Sequence, residues 1–359
     1  MCIITRLALS KTRTPLMNTK QKLITVCIPA YNSEEYLHYA VDSLIPFGED
    51  VEVIIIDDGS KDKTGEIADK YAAEHPFIKA VHQPNGGHGE GINHGLELAT
   101  GIYFRVLDSD DWFDHDGFAA LLKDVKEQNC KADLYFTDYT YWHGRDNKDA
   151  TINFNYLFKG KDYDSAKGGP WSCIKKFRYD RNLTLHTTMY RTSTLRESGV
   201  HCPGHVSYED NYFIYAPMAY VKEIRYVPVS VYQYLTGRDG QSMATANLVK
   251  KYKDFLLDGK LIFDSIDIYS IKDKATYKAV YHHLIMNMIL SVMWAKYVGT
   301  KESKAALKDF YRHCKTTNKR QYRKVRRHFL IWVMNLPLYC GTLIVRAGFH
   351  IGHKIVKFN

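Results

Sequence analysis

Four short, predominantly apolar runs, Leu23 to Ile28, Val51 to Ile56, Ile78 to His82 and Tyr103 to Leu107, alternate with segments of helical spacing, and this alternation leaves the chain few possible folds. Runs of that length between turn residues predict strands, and the intervening Glu34 to Leu44, Thr64 to about Glu74 and about Gly89 to Ala99 predict helices. Such strands, separated by helices, imply an α/β fold with a mostly parallel central sheet covered on both faces. Ligands bind such sheets beyond the carboxyl ends of the strands. Three of the strands end in polar clusters, around Tyr31, Asp58 and Asp110. The fold is therefore expected to bring those clusters together along one edge.

A helix from Asp116 to Gln128 and a strand near Asp133 to Asp138 continue the body, and Tyr139 to Arg181 turns polar, aromatic and glycine-containing, as loops and short strands do. Helical spacing returns from Asn247 to about Cys314. At 359 residues the expectation is one large α/β unit with an appendage. A composition of 45% hydrophobic and 25% charged residues argues against disorder and a multi-span membrane protein. Of the 49 Lys and Arg, 11 lie between Tyr311 and Asn359 with no Asp or Glu among them, leaving 38 basic against 40 acidic residues elsewhere. A near-neutral body with a basic, partly apolar tail argues for an anionic membrane surface and against nucleic acid.

In that tail Lys319 to His328 is densely basic, and Phe329 to Val345 is apolar but broken by Asn335, Pro337 and Gly341. A spanning helix needs about 20 apolar residues, so an interfacial pair of helices broken near Pro337 is expected, with packing on the protein's own body as the alternative. Seven scattered cysteines without a C-x-x-C pair, and a start lacking a signal peptide's apolar region, point to a reducing, cytoplasmic compartment. Met17 is expected to be the natural start, making residues 1–20 a disordered or non-native extension.

Asp108-Ser109-Asp110 places two carboxylates at a strand end, where both can approach one hard cation, Mn²⁺ or Mg²⁺, and the phosphates it neutralises. Acidic clusters also solvate turns and cap helices, and Asp111 or Asp114 suits that role. Asp57 and Asp58 can accept from a base N–H or a ribose hydroxyl, Tyr31 can stack on a base, and Gly59 permits close backbone approach. His88, His94, His186, His201 and His205 lack metal-site spacing and read as structural or solvated, with an acceptor contact open for His205.

These pieces resemble glycosyltransferase family 2, the inverting enzymes of the GT-A fold. The resemblance is carried by Ile28-Pro29-Ala30-Tyr31-Asn32, the helix starting Glu34-Glu35-Tyr36-Leu37, Ile54 to Ser60, Asn85-Gly86-Gly87 and Leu107 to Trp112. It implies a nucleoside-diphosphate sugar across Pro29, Tyr31, Asn32, Glu34, Asp57, Asp58, Gly59, Gly87, Asp108 and Ser109, with Asp108 near the ribose and Asp110 on the metal. It divides the chain into a nucleotide-sugar half (21–115), an acceptor half carrying the base (116–245), a helical extension (246–316) and a membrane-associating tail (317–359). Many members carry an Arg in the helix after the Asn-x-Gly loop; here Gly91-Ile92-Asn93 stands there, and Asn85 to Gly91 looks like a Gly-rich subgroup.

Tyr208-Glu209-Asp210 is similar to the family's Glu-Asp element, which implies Asp210 as catalytic base with Glu209 second; helix capping is the competing reading. Tyr232 to Ser242 has the composition of a mobile flap, with Arg238 as a phosphate fork that supplies the charge missing at Ile92, and Ser242 as a donor. The implied activity is metal-dependent transfer of a sugar to a saccharide or lipid-linked acceptor in bacterial surface polysaccharide synthesis, at the inner face of the cell membrane, with a homo-oligomer open. A nucleotidyltransferase or pyrophosphorylase, and a non-catalytic membrane-associated scaffold, are the alternatives. The first would need a Gly-rich, Arg- and Lys-containing loop near Pro29, which the sequence lacks.

Overall fold

The structure, a computed structural model, describes residues 21–144, 147–158, 168–175, 177–179, 182–237, 245–337 and 339–355. Met17 and the expected extension lie outside these residues, as do Arg238 and Ser242.

The first strands are apolar because both of their faces are covered. β1 (Ile24–Ala30) and β2 (Val51–Asp57) are buried at every position. They enclose α1 (Leu37–Asp42), and α2 (Thr64–Glu74), β3 (Ile78–His82), α3 (His88–Leu98) and β4 (Tyr103–Val106) follow. β3-β2-β1-β4 is a parallel half-sheet, with Ile24 to Ala30 in register with Val51 to Asp57. β5 (Trp112–Phe113) leads into α4 (His115–Glu127), whose N-terminus is capped by Asp114 accepting from Gly117 N at 2.8 Å.

β6 (Leu134–His143), β7 (Asn147–Ile152), β8 (Thr188–Arg191), α5 (Thr192–Ser198), α6 (Asp210–Tyr215) and β9 (Ile224–Thr236) complete the α/β body. The sheet continues β4-β8-β6-β9-β5, with β6 and β9 parallel and the other new pairings antiparallel. The GT-A layout expected from the sequence is thus present, with its parallel pairing concentrated in the first four strands. One expectation is corrected here: Tyr232 to Thr236 is not flap but the end of β9, because it pairs with Tyr139 to His143 of β6.

The extension consists of α7 (Thr245–Lys250), α8 (Tyr252–Ser265), α9 (Lys274–Val298) and α10 (Lys301–Thr317). A single hydrophobic core runs from Val53 and Phe104 in the sheet to Ile262, Leu284 and Phe310 in these helices. The tail forms α11 (Lys319–Arg326), α12 (Phe329–Met334) and α13 (Cys340–Ile355), with the break at Pro337 where the sequence predicts it. Ile331, Met334 and Val345 are buried, whereas Phe329, Trp332, Tyr339 and Leu343 are exposed. Among the described residues no helix is long and apolar enough to cross a membrane, and all six cysteines are free.

Candidate active site

The loops that leave β1, β2 and β4 are tied together by side chains. Asn32 N donates to Ser60 Oγ (3.0 Å), Lys61 N to Asn32 Oδ1 (2.8 Å) and Lys63 N to Glu34 Oε2 (3.0 Å). Ser33 and Ser109 share a hydroxyl hydrogen bond of 2.7 Å, which joins the first loop to the Asp108 loop. Tyr31 stands 50% exposed on this rim. Pro29 is buried at the end of β1 and Gly59 sits in the left-handed region at φ 71°.

Asp58 is buried, and its carboxylate accepts from Gly86 N (2.8 Å), Gly87 N (2.8 Å) and Gln83 Nε2 (2.7 Å). It thereby anchors the Gly-rich loop. Asp57 accepts from Ser60 N and lies 2.9 Å from His82 Nδ1; burial pushes its carboxyl up, but the bonds to Ser60 and His82 outweigh this and hold it below its ordinary range. Gly87, the residue before α3, has φ 88°, and a Cβ there would stand 2.7 Å from His205 N, so only glycine suits the turn.

That turn aims His88 at two carboxylates far apart in the chain. Nδ1 donates to Glu209 Oε1 (2.7 Å) and Nε2 to Asp108 Oδ1 (3.1 Å). Burial alone would make the imidazole less basic, but the bonds to Asp108 and Glu209 raise its pKa well above the ordinary value, so it stands as a cation. Ile92, one helical turn further on, is buried in the core.

Asp108 and the fully buried Asp111 lie side by side. Tyr232 Oη, on β9, is 2.7 Å from Asp111 Oδ2 and 3.1 Å from Asp108 Oδ2, and Leu235 N donates to Asp111 Oδ1 (2.8 Å). His186 Nε2 lies 3.7 Å from Asp108 Oδ2. Burial pushes the Asp108 carboxyl up, but the nearby His186 imidazole and the hydrogen bond to His88 reverse this and hold it well below the carboxylate range. Asp111 is driven well above that range by burial and then by the charge of Asp108. Two adjacent carboxylates, Asp111 buried and Asp108 half-buried, repel one another when both are ionised.

Among the described residues, ligand atoms of Asp108, Asp111 and His186 lie within 4.8 Å of one another. Two carboxylates and an imidazole fit Mn²⁺ or Mg²⁺ by donor chemistry, and a divalent charge would relieve the repulsion between the acids. Asp110 is half-buried on the same turn.

Glu209 is buried with its side chain turned to His88, and Asp210 is the first residue of α6. Glu209 makes no side-chain cap, so capping does not account for the pair. Burial, followed by the charge of Glu209, pushes Asp210 up to about 6. Asp114 acts as a cap, as foreseen, whereas Asp111 does not. His88, His186 and Tyr232 went unrecognised in the sequence because their partners lie 20 to 124 residues away and no local spacing marks them. The one available signal was a histidine flanked on each side by glycine.

The sequence profile described as Glycosyl transferase family 2 matches residues 25–193. The uncharacterized glycosyltransferase EpsJ of Bacillus subtilis (strain 168) is 36% identical over 108 residues, 30% of this chain and 31% of EpsJ. Glycosyltransferase GlyG of Streptococcus pneumoniae serotype 4 is 32% identical over 144 residues, 40% of this chain and 46% of GlyG. The chain thus spans less than half the length of either relative. S. aureus TarS 1–349, solved in complex with UDP-GlcNAc, superposes with a TM-score of 0.65 at 20% identity, over 92% of each chain. Residues 25–193 are thus similar to glycosyl transferase family 2, and the chain has the GT-A architecture.

Proposed function

We propose that the chain is an inverting glycosyltransferase that moves a sugar from a nucleoside-diphosphate sugar, a UDP-sugar first among them, to a saccharide or lipid-linked saccharide hydroxyl. The observation that carries this reading is His88, one imidazole hydrogen-bonded both to Asp108 of the strand-end loops and to Glu209 beside Asp210. Donor-side and acceptor-side carboxylates are thereby only a ring's width apart. The ligand of the TarS complex, UDP-GlcNAc, supports a uridine donor.

In this reading the open face of Tyr31 stacks on the base, and Asp57, Asp58 and Gly59 line the base and ribose side with Pro29, Asn32, Glu34 and Gly87. Asp108 and Ser109 flank the ribose and diphosphate. Asp108 and Asp110, with His186 as a third donor, would hold Mn²⁺ or Mg²⁺, which supplies charge to neutralise the diphosphate. Asp111 lies beside Asp108 and His186, its oxygens already engaged by Tyr232 and Leu235. His88 adds a fixed cation beside the same group. Arg238 and Ser242 remain proposed phosphate contacts.

Asp210 takes the proton from the acceptor hydroxyl as that oxygen bonds to the anomeric carbon and the carbon–diphosphate bond breaks, releasing the nucleoside diphosphate on the opposite side. An aromatic wall of Tyr139, Tyr141 and Tyr234, with His186 against Tyr234 at 4.5 Å between centroids, offers stacking faces for sugar rings. The basic tail, 317–359, would hold the site at an anionic inner membrane surface, in keeping with bacterial surface polysaccharide synthesis.

The test is release of nucleoside diphosphate from UDP-glucose, UDP-galactose, UDP-N-acetylglucosamine and GDP-mannose with Mn²⁺ and a mixture of mono- and oligosaccharide acceptors present. Asp210→Asn should lower kcat about a hundred- to ten-thousand-fold with nucleoside-diphosphate binding retained. Equal loss of both would reject the base, and no turnover of any donor would favour the scaffold.

A further inference from the structure

The segment that delivers Asp210 is held from outside the matched domain. Tyr208, two residues before Asp210, has φ 70°, a left-handed conformation that side-chain-bearing residues adopt only when the surroundings impose it. The imposing element is α8. Phe255 stacks on the Tyr208 ring with centroids 4.0 Å apart and planes within 12°. Asp254 Oδ2 accepts from Ser207 N at 3.2 Å. The Asp258 carboxyl, one helical turn after Asp254, faces the backbone N–H of Tyr212, in the first turn of α6.

α8 is itself fixed. Ser291 of α9 donates to the Phe255 carbonyl at 2.7 Å, and a Cβ on Gly259 would stand 2.3 Å from Ser291 Oγ, so the two helices are in close contact at this level. Asp258 is 2% exposed and its Oδ1 has no hydrogen-bond partner. An acid so placed costs stability unless it has a task. Contacts at Ser207, Tyr208 and Tyr212 bracket Glu209 and Asp210, and all three come from one helix.

We infer that Asp254, Phe255 and Asp258 are positioning residues that set the backbone of residues 207–212, so that the helical extension completes the transfer site. The inference rests on Asp210 as base. Geometry is the reason it matters: a displacement of about 1 Å at a reacting group costs on the order of a hundred-fold in rate. The clamp acts first on turnover, because it reaches the donor side only at one remove, through Glu209 and the His88 hydrogen bonds.

The experiment uses the full chain with Mn²⁺, initial rates of nucleoside-diphosphate release from the four donors above, and calorimetric affinity for UDP and GDP. Phe255→Ala and Asp258→Leu should lower kcat about ten-fold or more, while donor KM and nucleotide affinity stay within about two-fold. Phe255→Trp, which keeps a stacking face, and Asp258→Asn, which keeps the acceptor oxygen, should restore most of the rate. Hydrogen exchange in Phe255→Leu should speed up at residues 207–212 alone, a readout that needs no turnover. Unchanged kcat, parallel loss of nucleotide affinity, failure of the conservative variants to rescue, or exchange accelerated throughout the molecule would overturn the clamp. Asp210→Asn in the same assay separates the two ideas: if it keeps the full rate the base assignment fails and the clamp loses its object, whereas inert Asp210→Asn beside a normal Phe255→Ala overturns the clamp alone.

Discussion

His88 sits where two functions meet, and what it contributes can be divided into charge and hydrogen bonding. Glutamine at this position keeps donor capacity without charge, and alanine removes both. On the proposed mechanism His88→Gln should retain part of the rate and His88→Ala should lose about ten-fold or more, since removing a partner leaves Glu209 buried and unpaired. The pH profile is a separate check. Asp210 must be ionised to act as a base, and burial and Glu209 push it up to about 6, so kcat should fall by about ten-fold per pH unit below that point. The imidazoles of His186 and His88 pull Asp210 downward, and without His88 its pKa should rise; the acid limb of the His88→Gln profile should therefore move to higher pH. A limb that stays in place would separate His88 from Asp210. Asp110→Ala should abolish Mn²⁺ binding in a calorimetric titration, and retention would shift the metal to Asp111 and His186.

At the level of elements, the site depends on strands from opposite halves of the sheet. β4 delivers Asp108 and Asp111 just past its end, and β9 brings Tyr232 against both. Arg105 of β4, 1% exposed, donates to the His186 carbonyl at 3.0 Å and to Thr137 Oγ1 at 3.1 Å, fixing the turn before β8 that carries His186. Burial brings its guanidinium down to about 9, so this strand end carries a costly buried group that the fold retains. Tyr232→Phe removes a buried donor and leaves the acid pair less satisfied. It should cost about 1–3 kcal/mol of stability, measured by denaturant unfolding, and weaken Mn²⁺ binding. Unchanged stability would mean that Asp111 finds another donor.

Taken whole, the molecule has one surface unlike the rest. Six of the eleven exposed large apolar side chains among the described residues, Phe329, Leu330, Trp332, Tyr339, Leu343 and Ile344, lie within sixteen positions of α12 and α13, beside the basic α11. The opposite side of the same helices packs on α9 through Ile331 and Met334. Packing on the body and an outward apolar face thus coexist in the tail. Each Lys or Arg near an anionic leaflet adds about 1 kcal/mol, and salt screens that part. The protein should sediment with phosphatidylcholine vesicles containing phosphatidylglycerol, less so at high salt, and replacing Phe329, Trp332 and Leu343 by Ser should release it. Binding to pure phosphatidylcholine alone, or concentration-dependent dimers in sedimentation velocity that the same replacements abolish, would point to a different use of the face.

How much of this is readable before folding depends on the range of the interaction. Strand and helix positions, the strand-end loops with Asp58, Asp108 and Asp110 and the break at Pro337 follow from local periodicity and turn chemistry, which are properties of neighbours in the chain, whereas the Glu209-Asp210 pair is marked only by its resemblance to a family element. Even the departure at Ile92 is visible in a linear reading. The roles of His88, His186, Asp111, Tyr232 and Asp258 are not, because each is defined by a partner 20 or more residues away. Whether an acid caps a helix, as Asp114 does, or lies paired in the interior, as Asp111 does, depends on burial and on the donors that other elements bring. Only packing supplies both.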